Sequence, residues 1–263
     1  MKTKISLIAG ALLLCACTQV GNDLGKYALN CKAEEITLQS DTLERPYTVR
    51  FRPDGHVAEV VTMNFDLSPR YTKTYEYDSR GRLVEVSGVN SDNETEARYE
   101  YEYDGRFIKE CRMYGMNNQE IHRWVHTNDG RHIVHTDYFN EGELFYTTTK
   151  SFKGHTYKEE SVNSEGQVMG TAEVEFLTEE KPKVIKGSDL DIEITYNEKG
   201  LPTMSRGTLL NSLCEMEWTG DLELHPCRYY SYEYDERGNW ISRAESVHPD
   251  STAYSVLRRI IKY

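Results

Sequence analysis

Polar and apolar positions alternate over most of the chain. In Arg98-Tyr99-Glu100-Tyr101-Glu102-Tyr103 the tyrosines fall on one side and the charged residues on the other. Tyr230, Tyr232 and Tyr234 repeat the pattern against Ser231 and Glu233. A period of two marks a strand with one sheltered and one wet face. Turn residues separate the alternating runs. Gly81, Gly105, Gly130 and Gly154 recur about every two dozen residues, and Gly142 and Gly166 fall midway between members of that series. Asp104-Gly105 and Asp129-Gly130 are dipeptides that accept the positive φ angles of tight hairpins. A turn about every dozen residues leaves strands of about eight or nine, which reads as an antiparallel all-β meander.

The rhythm is also an internal repeat. Tyr75-Glu76-Tyr77-Asp78-Ser79-Arg80-Gly81 returns as Tyr232-Glu233-Tyr234-Asp235-Glu236-Arg237-Gly238, and Tyr101-Glu102-Tyr103-Asp104-Gly105 is a shortened copy. Arg52-Pro53-Asp54-Gly55, Asn128-Asp129-Gly130 and Asn197-Glu198-Lys199-Gly200 keep only the turn. Successive copies are expected to set Tyr beside Tyr on neighbouring strands, a pairing that stabilises sheets. The rhythm breaks over 178–190, which contains Pro182, and over 210–227, which contains Pro226. These read as longer loops or irregular strands. Residues 254–263 read as a final strand closing the sheet. No window shows helical periodicity.

Composition narrows the picture. Hydrophobic residues make up 38% of the 263, below the usual globular share, which suits an extended sheet with one wet face. Lys and Arg total 31 against 43 Asp and Glu, a formal charge of -12. Such a chain repels phosphate backbones, so nucleic acid is not an expected partner.

The first residues carry an address. Lys2 and Lys4 precede an apolar run, Ile5 to Leu14, too short to span a bilayer. The run ends in Leu14-Cys15-Ala16-Cys17, which resembles the lipobox of bacterial lipoproteins. That resemblance implies a signal peptide over 1–16 and Cys17 as the lipidated first residue of the mature chain. Cys15 competes for the role, but Leu14 is a poor residue before a cut. Residues 17–35 then read as a tether, with a helical turn near Ala33-Glu34-Glu35, and 36–263 as the repeat domain. Four cysteines remain after processing, an even number for an oxidising compartment. Cys214 and Cys227 flank a loop and are the favoured disulfide pair, which leaves Cys31 with Cys111; four free thiols are the alternative.

The Tyr-x-Tyr-Asp-x-x-Gly units resemble the YD repeats of RHS-type bacterial proteins. The segment from Tyr234 through Arg237-Gly238-Asn239-Trp240 to Arg243 is similar to a C-terminal unit of small Gram-negative lipoproteins. The likeness spans residues 46–263, strongly in three units. It implies a curled antiparallel sheet, or, by similarity to envelope lipoproteins with a closed meander, a soluble porin-like barrel. An outer-membrane barrel is not expected, because charges run throughout one strand face where lipid demands an apolar band. The implied location is the cell envelope, anchored by lipid to the outer membrane of a Gram-negative bacterium, with the periplasmic or surface side left open.

Candidate chemistry is sparse. His122, His126, His132 and His135 lie on the two arms of a hairpin turning at Asn128-Asp129-Gly130. In one register His126 faces His132, with His122 and Trp124 on the same side, a weak Zn or Cu candidate lacking a third ligand. Glu76, Glu100 and Glu102 carry no motif marking a catalytic pair, no Gly-x-Ser-x-Gly elbow occurs, and no cofactor motif is found. Asp54, Asp78, Asp104, Asp129 and Asp235 read as turn residues and not as calcium ligands. Tyr75, Tyr77, Tyr99, Tyr101, Tyr103, Tyr230, Tyr232, Tyr234 and Trp240 form a candidate ligand-facing stripe, suited to glycan, peptide or amphipathic partners. The expected function is that of a non-catalytic binding or scaffold module. The alternative is a carrier with an amphipathic lipid or glycan in a barrel lumen, ahead of a polymer-degrading enzyme.

Overall fold

The computed structural model describes residues 27–40, 45–178, 181–187, 190–209 and 227–263. Cys15, Cys17 and Cys214 lie outside the described residues. The described chain forms β1 (Glu35–Ser40), β2 (Tyr47–Phe51), β3 (Val57–Met63), β4 (Pro69–Tyr77), β5 (Leu83–Asn90) and β6 (Thr95–Asp104). There follow β7 (Phe107–Gly115), β8 (Glu120–Asn128), β9 (Ile133–Asn140), β10 (Glu143–Lys153), β11 (Thr156–Asn163) and β12 (Val168–Thr178). The last are β13 (Lys181–Gly187), β14 (Leu190–Tyr196), β15 (Pro202–Leu209), β16 (Cys227–Tyr234), β17 (Trp240–Ser246) and β18 (Ser255–Lys262).

Each strand pairs antiparallel with the next, and β18 pairs back onto β1 through Glu35↔Lys262, Ile36↔Ile261 and Leu38↔Arg259. The result is a closed up-and-down barrel of 18 strands. Of the two expected forms, curled sheet and barrel, the barrel is the one adopted. Closure removes the bare edges that an open sheet would expose. The segment 178–190 contributes two strands, β13 and the start of β14, so its proline marks irregular pairing and not a loop. Glu35 begins β1, and Glu34 is a bend just before it; the expected helical turn is absent because Lys262 and Phe51 take the Glu34 backbone groups.

The turns explain the repeat. Asp78 Oδ1 accepts the backbone N–H groups of Arg80 and Arg82, and Asp235 Oδ1 those of Arg237 and Asn239. Asn90, Asn163 and Asn197 accept at the same two offsets. One side-chain oxygen thus stands in for backbone acceptors that the reversing chain cannot supply. Gly81 sits at φ 75° and Gly238 at φ 78°, the left-handed residue that follows a type I turn and bulges the strand. On the opposite rim Asn93 and Asn118 fill that position at φ 62° and 55°, as Asn tolerates best after Gly.

The two faces of the wall differ. Ile36, Leu38, Val49, Val86, Ile108, Tyr138, Tyr157, Val174, Trp240 and Arg259 are buried and share one face by register. The curvature of a closed ring shelters only its concave side, so this face is the lumen. Thr48 and Val61, opposite one another on the outer face, and Phe107 beside a turn are buried exceptions. The outer face is charged. Arg98 bridges Glu85 and Glu100, and Arg112 bridges Glu102 and Glu110, across β5, β6 and β7. Tyr27–Glu34 precede β1 and cross the seam, where Leu29 and Ala33 pack with Ile36, Leu38, Val49, Val57 and Trp240. Asn239 pins this strap, with Oδ1 accepting Asn30 N at 2.6 Å and Nδ2 donating to the Tyr263 hydroxyl at 2.8 Å.

Candidate functional site

The expected aromatic stripe is inward. Tyr99 pairs with Val86 and Met113, Tyr101 with Cys111, Tyr103 with Ile108, and Tyr75 with Val86. Tyr77 pairs with Leu83, and on the other side of the barrel Tyr234 pairs with Trp240, Tyr232 with Arg243 and Tyr230 with Glu245. Tyr does not stand beside Tyr between repeats. The repeating unit is a hairpin, so successive tyrosine strands are separated by an intervening strand with aliphatic or mixed side chains. The tyrosines use their length differently: Tyr103 Oη donates to Leu83 O at 2.9 Å, Tyr196 Oη to Pro182 O at 2.7 Å and Tyr232 Oη to Pro202 O at 2.9 Å. Burial pushes the Tyr232 phenol up to about 12.

Besides the contacts of Tyr232 with Tyr234 and Trp240, two aromatic clusters form where the repeats are weakest in sequence. Trp124, Tyr138 and Tyr146 lie in one row, with centroids 5.3 Å and 4.7 Å apart. Phe152, Tyr157 and Phe176 form a second cluster at 5.4 Å and 5.6 Å. Sequence reasoning missed both, because none of these residues stands in a Tyr-x-Tyr unit.

A polar row runs through the same arc. His126, Thr136, Thr148 and Ser161 are successive register partners on β8, β9, β10 and β11, and all are buried. The His126 Nδ1 and Thr136 hydroxyl lie 2.9 Å apart, and the Thr148 and Ser161 hydroxyls 2.7 Å apart. Lys150 and Glu159 form an inward ion pair at 3.2 Å in the adjoining row. Burial, assisted by the Lys150 charge, lowers the His126 imidazole to about 4. A cleft of about 490 Å³ between Tyr103, Lys109, His126 and Asn128 opens beside this row.

The histidines do not form a metal centre. His126 faces Thr136 and not His132, because a register shift at Asn128 moves His132 into the turn. His132 stacks on Phe152 at 4.0 Å. The His122 Nδ1 and the Tyr138 hydroxyl lie 2.8 Å apart. No three His, Cys, Asp or Glu side chains converge among the described residues. The turn aspartates hold backbone: N–H groups of His132 and Arg131 keep Asp129 below the usual carboxylate range, and Asp54 Oδ1 accepts His56 N. Asp104 Oδ2 instead accepts the Asn128 side-chain amide. Cys31 and Cys111 are not bridged to one another, and Cys214, the favoured partner of Cys227, lies outside the described residues. The expected Cys31–Cys111 bridge is absent because Cys31 lies beside Asn239 at the seam, while Cys111 sits on β7 with β2 to β6 between them. A disulfide needs Cα atoms within about 7 Å.

The described geometry thus defines a closed, lumen-bearing antiparallel barrel with a charged exterior. No family model matches the chain, and no curated protein matches it. Among solved structures it is similar to a porin-like protein from Bacteroides uniformis, at 10% identity and a TM-score of 0.43, covering 88% of this chain and 98% of that one. A porin-like protein from Bacteroides vulgatus aligns at 9% identity and a TM-score of 0.30 over the same shares of the two chains. The TcdB2-TccC3-Cdc42 structure aligns at 12% identity and a TM-score of 0.20, covering 76% of this chain and 17% of that one.

Proposed function

We propose that this chain is a non-catalytic envelope lipoprotein, tethered by lipid at Cys17, that carries an amphipathic ligand in its barrel. The observation that carries the proposal is the inward aromatic face of a closed ring of 18 strands. Barrels of about eight strands are filled by their own side chains, whereas rings of about 16 to 18 enclose usable space. Tyr, Trp and Phe offer that space apolar flanks, while inward His126, Lys150 and Arg243 offer polar grips. The exterior ion-pair ladder suits water and not lipid, which supports a soluble barrel on a lipid tether at the outer membrane. Closure favours the carrier over a scaffold that displays an open sheet, because the distinctive face is enclosed. Membership among YD-repeat lipoproteins is part of the same proposal.

Incubating the folded domain, residues 18–263, with a bacterial lipid extract and then identifying retained molecules by mass spectrometry tests this. One amphiphile class is expected to be retained near one per chain. A folded protein that retains nothing overturns the carrier reading.

A further inference from the structure

Two inward arginines at the seam, Arg243 over the Tyr230 ring and Arg259 over Trp240, keep N–H groups without a hydrogen-bond partner. Arg259 on β18 is 3% exposed, and its Nε and Nη2 atoms make no hydrogen bond. Its Nη1 donates to the Tyr27 carbonyl, and its guanidinium lies 4.0 Å over the Trp240 ring. Arg243 on β17 has a buried Nε that is likewise unpartnered. Arg243 stands opposite Leu257, two residues before Arg259 on the same face. The two arginines are therefore diagonal neighbours, about 7–8 Å apart in such sheets.

Nearby carboxylates are already taken. Glu245 is held by Arg228 at 3.2 Å and by the Tyr254 hydroxyl. Asp235 serves the Tyr263 hydroxyl and two turn N–H groups. Among the described residues no carboxylate lies within ion-pair distance of Arg243 or Arg259, and Asp235 acts on Arg259 only through its longer-range charge, in a chain with twelve more negative than positive charges. A buried guanidinium such as that of Arg259, with no carboxylate in direct contact, is costly. Burial lowers the Arg259 guanidinium to about 10, still charged at neutral pH.

The free atoms have a shape. Nε and Nη2 are the side-on edge of the guanidinium, which presents two parallel N–H groups to a carboxylate or phosphate. An anion can take that edge while Nη1 keeps the Tyr27 carbonyl. We infer that Arg259 and Arg243 form an anion-binding subsite that grips the headgroup of an amphipathic anion, whose tail lies along Tyr232, Tyr234, Trp240 and Leu257. This rests on the carrier reading and names its ligand class: a long-chain carboxylate or phosphate monoester.

Calorimetric titration of the folded protein with submicellar dodecanoate, dodecyl phosphate and dodecanol tests it. Either anion, or both, is expected to bind at least about tenfold more tightly than dodecanol, and the better anion identifies the headgroup. Arg243→Gln and Arg259→Gln are expected to erase that advantage, so that neither anion binds more tightly than dodecanol. If Arg259→Gln does not fold, the wild-type headgroup ranking and Arg243→Gln decide. Dodecanol binding as tightly as both anions overturns the subsite and leaves the carrier reading standing. Failure of all three probes to bind overturns both.

Discussion

The seam arc, from β16 through β18 and β1 to β3, and the far arc, β8 to β12, solve the same problem with different chemistry. Consecutive hairpins build the far arc, so each strand finds its neighbour over a short loop. It tolerates a polar inner row because His126, Thr136, Thr148, Ser161, Lys150 and Glu159 all find partners. The seam must join residues more than two hundred positions apart. It does so with aliphatic burial, where Ile36 and Val49 are 0% exposed, and with a strap pinned by Asn239. Its inward Arg243 and Arg259 have no carboxylate within ion-pair distance among the described residues. Local connection permits polarity in one arc, while remote connection rests on hydrophobic packing in the other.

The sharpest way to break that contrast is at Ile36. Ile36→Ala should cost about 2–5 kcal/mol in urea unfolding, the usual range for a buried aliphatic truncation; a loss below about 1 kcal/mol would show that the seam does not depend on this core. Acidification probes the far arc. His126 binds its proton in the unfolded chain near pH 6.5 but only near 4 when folded. The unfolded state therefore takes up the proton first. The contribution is complete above about pH 6.5 and is lost as the pH falls toward 4, by up to about 3 kcal/mol. His126→Gln should flatten that part of the stability profile, and an unchanged slope refutes the assignment.

Smaller effects refine the picture. Thr148→Val leaves the Ser161 hydroxyl buried without a partner and should cost about 1–3 kcal/mol, whereas Thr148→Val with Ser161→Ala should recover most of it. Equal losses in the single and double variants would show that the two hydroxyls are not coupled. On the outer wall Lys158 and Glu173 form a pair at 3.3 Å with both side chains exposed. Lys158→Ala should shift the unfolding midpoint by less than about 0.5 kcal/mol equivalent, and a larger shift would mean that the charged exterior contributes more than its solvation suggests.

The sequence made the wall legible and the joins opaque. Alternation in 98–103 and 230–234 placed the tyrosines on one face, and the glycine rhythm located both rims, because both signals are local. Register across a turn is not. The bulge beside Asn128 shifts His132 away from His126, and no pattern in the hairpin announces it. The polar row was equally hidden, since Thr136, Thr148 and Ser161 are ordinary strand residues until neighbouring hairpins align them. The free guanidinium edge of Arg259 depends on Trp240, across the β17–β18 hairpin, and on the Tyr27 carbonyl, which only the remote N-terminal strap supplies. Cys31 and Cys111 illustrate the same limit: counting paired them, and the circumference separates them.

The pairing of β1 with β18 has a kinetic consequence. Every other neighbour in the ring is next in sequence, so hairpins can zip progressively while this junction waits for the whole circumference. Until it forms, the protein is a ribbon with two bare edges, each able to dock onto the same edge of a second molecule. Refolding at high concentration should therefore divert material into chain-linked oligomers, and dilution should restore single rings.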